Sequence, residues 1–177
     1  MATSVTVAIF GKEKKSHSQE FIFTKPVKRQ TIFKAKLFAI LTAIIIFNVV
    51  VIPISLFCFL KYATIDLNAV LATLSITLSQ LVFMGISIFI ATFIPKIRTT
   101  TTISSIVGVF SFIIAVFVNS LAIKWLEFLS PLHFFAPKYI FKSGGYDLSL
   151  AIYATIILVA SVGLSALRFI NSDLSKL

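Results

Sequence analysis

The sequence predicts an all-α fold: a polytopic membrane protein of four transmembrane helices with a cytoplasmic helical N-terminal segment. Three observations predict it. The first is composition: 58% of the 177 residues are hydrophobic and 12% charged, against averages of roughly 45–50% and about 25% for soluble domains. Together with a mean hydropathy of +1.04, this excludes a soluble globular protein. The second is segregation: four stretches, 37–60, 69–94, 103–123 and 148–167, carry no Lys, Arg, Asp or Glu, and each is near the roughly 20 apolar residues that cross a bilayer as a helix. A charge at the centre of such a helix costs about 2.5–3.5 kcal/mol on insertion scales, so the sorting of every charge into the connections is itself a strong signal. The third is the bias of Lys and Arg. Eight precede the first stretch, two lie between the second and third, and two follow the fourth, against four on the opposite side. Cations collect on the cytoplasmic face, so both termini are expected there.

Residues 1–36 form the cytoplasmic segment, 37–167 the transmembrane domain and 168–177 a cytoplasmic tail. Residues 5–10 are too short for a signal-peptide core, and the lysines follow them where a signal peptide has them in front; the first span is expected to act as its own insertion signal. Within that span Pro53 removes a backbone hydrogen bond and predicts a bend. Asn48, Gln80 and Asn119 are the strongest polar groups at depth and are expected to face protein or a cavity, either as interhelical glue or as candidates to line a path. Ser75 with Ser79, Ser104 with Gly108 and Ser161 with Ser165 are pairs that allow close helix approach. The outer connection 124–147 contains Pro131 and Pro137 and ends in Gly144–Gly145, so it cannot be one helix. Its Phe, Leu and Trp content predicts short helices in the interface or dipping back into protein, or an apolar loop resting on the membrane.

Several kinds of chemistry are excluded. A phosphate-binding loop would need Gly five residues before Gly11 and Lys12, with Ser or Thr after them, but Thr6 and Glu13 stand there, so no ATP hydrolysis is expected in this chain. His17 and His133 fall on opposite sides of the membrane and cannot share a metal; each reads as a lone surface histidine. Cys58 is the only cysteine, and no span carries the Asp, Glu or His that a proton relay uses. The net charge of +10 flanks hydrophobic spans and is not interleaved with aromatics on a soluble face, so nucleic acid is not expected as a partner. Anionic lipid at the inner surface is compatible with it.

The stretch 11–37, GKEKKSHSQEFIFTKPVKRQTIFKAKL, has an internal order. A polar charged turn over 13–20 leads into Phe21, Ile22 and Phe23, and Thr24–Lys25–Pro26 then offers a break before a second helix enters the membrane. A helix–break–helix at a membrane surface suits docking on a partner, and equally an interfacial anchor. Phe23–Thr24–Lys25–Pro26–Val27–Lys28–Arg29, followed by Ile32 and Lys36, resembles the "(L)xxKPVxR" element of the membrane subunits of ATP-binding-cassette exporters of the type-2 permease class. Leu129–Ser130–Pro131–Leu132–His133–Phe134–Phe135 is similar to that family's "SPxxxF" element between its last two spans. The resemblance implies the permease part of an ATP-driven exporter in a bacterial cell membrane, and no enzyme activity of its own. A separate ATPase chain would bind ATP and Mg²⁺ and push on Glu13, His17, Glu20, Phe21, Phe23, Lys25 and Arg29 as the coupling residues. It implies a second permease chain, in a homo- or hetero-oligomer, with a path between subunits lined by Asn48, Gln80 and Asn119. The family's unit has six spans; counted from the matched motifs, the missing pair lies before residue 1, and residues 2–10 look like the tail of the second. The competing expectation is a non-transporting assembly or regulatory subunit.

Overall fold

The computed structural model describes residues 1–16, 29–62, 66–94, 100–121 and 124–171. These residues are helical, with no strand among them. In chain order they form α1 (Ala2–Ser16), α2 (Arg29–Tyr62), α3 (Leu67–Phe93), α4 (Thr100–Leu121), α5 (Lys124–Glu127), α6 (Pro137–Ser143) and α7 (Leu148–Asn171). Four of them, α2, α3, α4 and α7, are long and apolar enough to cross a membrane. They overlie the four charge-free stretches, so the segregation of charge locates the spans to within a few residues at most ends. The exception is α2, which starts at Arg29 well before residue 37. At about 1.5 Å per residue its 34 residues make a rod of about 51 Å, longer than a hydrocarbon core of about 30 Å. Its charged first turns therefore project beyond the apolar layer. The helix runs through Pro53 without ending.

The bundle is organised around α3, which packs on α7, α1, α2 and α6. Its buried side is rich in small and polar residues, among them Ala69, Ala72, Thr73, Ser75, Gly85, Ser87 and Ala91, interspersed with Val82, Met84 and Ile88. Thr73, Ser75 and Thr92 return their hydroxyls to the carbonyls of Ala69, Leu71 and Ile88, so these groups satisfy themselves within the helix. The tightest approach is at Gly85, where an added Cβ would stand 2.8 Å from Leu158 Cδ1 and 3.4 Å from Leu158 Cα. Glycine is what lets α7 lie this close. The small-residue positions expected from spacing behave differently: a Cβ on Gly108 meets nothing, and Ser165 donates to the carbonyl of Ser161 in its own helix.

Outward faces are apolar. On α2, Phe38, Ile45, Ile46, Val49 and Phe57 are exposed, the arrangement of a helix whose solvent is lipid.

The first apolar helix does not lie apart from this bundle. Residues 1–36 read as one cytoplasmic segment, yet Val7 and Thr6 of α1 are fully buried and Ala2 and Phe10 nearly so, because α1 packs on α2, α3 and α4. Its apolar part is Ala2–Gly11.

The connection from α4 to α7 folds back into protein. After α5, turns bury Ser130, Pro131, His133, Phe134 and Phe135. Pro137 occupies the first turn of α6, and Gly144, at φ 75°, ends it in the left-handed region with its N–H on the carbonyl of Ile140 at 2.8 Å. Asp147 then caps α7: its Oδ1 accepts from the N–H groups of Ser149 and Leu150 at 2.9 and 3.4 Å. Tyr146 ties the same connection to α3 by donating its hydroxyl to the carbonyl of Leu71 at 2.7 Å. Phe134, Phe135, Val82, Leu150 and Ala154 form one buried cluster there.

Candidate functional site

Three constellations carry the polar chemistry of the described residues. The first joins the ends of α1, α2 and α7. Phe10, Phe33 and Phe169, one from each helix, meet with ring centroids 5.6–6.4 Å apart. Lys36 Nζ lies 5.2 Å from the centre of Phe10 and 5.4 Å from that of Phe169. The lysine is buried, and aromatic faces offset part of its desolvation. Arg168 stacks over Phe93 at 4.3 Å, and Arg29 donates from Nη1 to the carbonyl of Ile170 at 3.3 Å, holding the last turn of α7. Of the residues expected to couple to an ATPase, Arg29 is thus part of the bundle's edge. Glu13 lies in the last turns of α1. His17, Glu20, Phe21, Phe23 and Lys25 fall outside the described residues.

The second constellation is an amide network between α2 and α3. Asn48 donates from Nδ2 to the carbonyl of Ile44 and to Gln80 Oε1, both at 2.8 Å, and its Oδ1 accepts from the Thr77 hydroxyl at 2.8 Å. Both amide hydrogens and the amide oxygen of the buried Asn48 thus have a partner, on α3 or in the preceding turn of α2. The residue thereby fixes the rotation of α2 on α3. Gln80 also borders a cleft of about 550 Å³ whose wall includes Thr3, Phe47, Ser79, Gly108 and Leu132. Asn48 borders a separate cleft of about 560 Å³ with Pro53 and Thr77.

Asn119 does not join them. It belongs to the third constellation, at the end of α4. Its Oδ1 is 3.2 Å from Nε2 of His133, whose Nδ1 is 3.2 Å from Ser130 Oγ. His133 is only 4% exposed and Ser130 not at all. His133 therefore departs from the lone surface histidine expected of it. Burial lowers its pKa, the Lys138 cation lowers it further and the Glu127 carboxylate opposes both. Glu127 pairs with Lys138 at 3.7 Å. It also accepts from the Tyr139 hydroxyl, which raises the Tyr139 pKa after the larger effect of burial. The signal that could have found this site was sequence spacing: Ser130 and His133 are three apart and flank Pro131, the arrangement of a tight polar turn.

Among the described residues no three of His, Cys, Asp and Glu gather in a way that would hold a metal ion. The chain matches no protein-family model, no curated protein and no solved structure.

Proposed function

We propose that this chain is the permease subunit of an ATP-driven exporter, in a bacterial cell membrane with both termini cytoplasmic, working with a separate ATPase chain and a second permease chain. One observation carries the reading. The two helices that flank residues 17–28 are clamped together and onto α7 through Phe10, Phe33, Phe169 and Lys36. A partner that displaced the connecting stretch would therefore move α1 and α2 as a pair, and α7 with them. The resemblance of 23–29 to a coupling element supplies the kind of partner. ATP and Mg²⁺ would be held by that partner, and this chain would contribute no catalytic group. The cleft bordered by Gln80 is a mostly apolar concavity with Thr3, Ser75, Ser79 and Gln80 in its wall, and a path completed by a second chain would draw on it. A non-transporting assembly or regulatory subunit is the second reading; it is favoured by the thinness of the bundle, in which most of α2 and α4 faces outward.

Purification of the full chain from native membranes in mild detergent tests the proposal. A P-loop ATPase should accompany it, and Phe21→Ala with Phe23→Ala should release that partner while leaving the chain in the membrane. An undiminished yield of ATPase with the double variant removes the docking assignment. A preparation with no nucleotide-binding chain removes the exporter reading and leaves the assembly subunit.

A further inference from the structure

We propose that His133 is the catch of a pH-sensitive latch: in its neutral form it ties segment 128–143 to the end of α4, and its protonation frees that segment from the bundle. The inference does not depend on the exporter reading. It rests on how both ring nitrogens are used. Asn119 Oδ1 can only accept, so Nε2 carries the hydrogen, and Nδ1 is left to accept from the Ser130 hydroxyl. A second proton would have to sit on Nδ1. There it would face Ser130 Oγ and turn the serine hydrogen away from its acceptor, in a residue with no exposed surface.

The groups around the ring do not relieve that cost. From α6, Lys138 repels an imidazolium, while from α5 Glu127 attracts one but is already shared by Lys138 and Tyr139. Asp147 is engaged as the cap of α7. From α7 the titratable neighbour is Tyr153, whose ring packs edge-on against Phe134. Neither α3 nor α4 contains a titratable side chain.

The direction follows from linkage. The docked histidine has a pKa below its ordinary 6.5, so docking is at full strength above that value. It weakens as pH falls through 6.5 toward the docked pKa, because the released form takes up the proton first. What is released matters, because Leu132, Phe135 and Pro137 of this segment are part of the wall of the cleft at Gln80. The latch therefore governs how wide that cleft stands at this end.

Hydrogen–deuterium exchange on the full chain in phosphatidylcholine nanodiscs reads the latch directly. Between about pH 7.5 and about pH 5.5, protection of amides 130–140, after correction for intrinsic exchange, should fall by up to about tenfold, the limit set by the single unit between the released pKa and the lower pH. In His133→Gln, whose amide can still donate and accept, it should stay constant. The same fall in His133→Gln, or no fall in the unaltered chain, overturns the proposal. Asn119→Asp gives an independent reading should His133→Gln fail to insert: a carboxylate beside Nε2 favours the imidazolium, so acidification should leave protection unchanged or raise it. An acid-induced loss in Asn119→Asp equal to that of the unaltered chain overturns the proposal as well.

Discussion

The two ends of the bundle close by different chemistry. Where α1, α2 and α7 meet, cations sit on aromatic faces: Lys36 on Phe10 and Phe169, Arg168 on Phe93. Where α4 runs into α5 and α6, a histidine, two amide or hydroxyl partners and an ion pair make a hydrogen-bonded knot. The first end is closed by cations set against aromatic rings, which have no proton to exchange. The second is built round the one side chain whose ordinary pKa falls near neutrality. One end is thus an aromatic clamp and the other a hydrogen-bonded one centred on a histidine, while the four apolar stretches between them carry no charge.

Substitutions can break or sharpen that contrast. The largest effect is expected from the clamp itself: Phe10→Ala removes a buried ring touching two others and a lysine, and should cost about 3 kcal/mol. Reversible unfolding in bicelles would measure it, and the loss should be the same at pH 5.5 and at pH 7.5 to within about 0.5 kcal/mol, since the rings that lose contact do not titrate. A strongly pH-dependent loss would erase the distinction between the ends. Asn48→Leu, midway between them, should cost about 1–2 kcal/mol, because Gln80 and Thr77 each lose a partner. An unchanged unfolding midpoint would mean that the network does not set the α2–α3 register. Asp147→Ala should cost about 1 kcal/mol by uncapping α7, seen as faster amide exchange at 149–151 and nowhere on α2. The smallest effect is expected from Glu127→Gln. Its pair with Lys138 is partly exposed and should be worth less than about 0.5 kcal/mol. Yet the same variant should bring Tyr139 ionisation down toward the ordinary range, visible as phenolate absorbance at lower pH. Tyr139 titration unaffected by Glu127→Gln would show that burial alone holds it up.

The spans were legible because insertion physics sorts charge so strictly that a break in the charges marks a helix. Local endings were legible for a similar reason: Pro131, Pro137 and Gly144–Gly145 forbid a continuous helix over 124–147, and the chain turns there. What could not be read was which side chains meet across helices. Asn48 and Gln80 each stood out as a polar group at depth, but 32 positions separate them, and nothing in either neighbourhood says that they bond to each other. Asn119, alike in composition, faces His133 instead. The helix Ala2–Gly11 was obscured by its length, since ten apolar residues neither span a bilayer nor demand burial in one. The closeness of Gly85 to Leu158 was invisible because it depends on α7, and spacing within α3 pointed to Ser75 and Ser79.

That last contact has a consequence for biosynthesis. The buried side of α3 is sheltered chiefly by α7, and some 70 residues of chain separate Gly85 from Leu158. During synthesis the Gly85 surface of α3 therefore stays uncovered by α7 until residues 148–171 have been made. A nascent chain stopped before Leu148 would present that surface to whatever helix lies nearby. The packing at Gly85 is thus among the late contacts of α3, because its cover lies some 70 residues downstream.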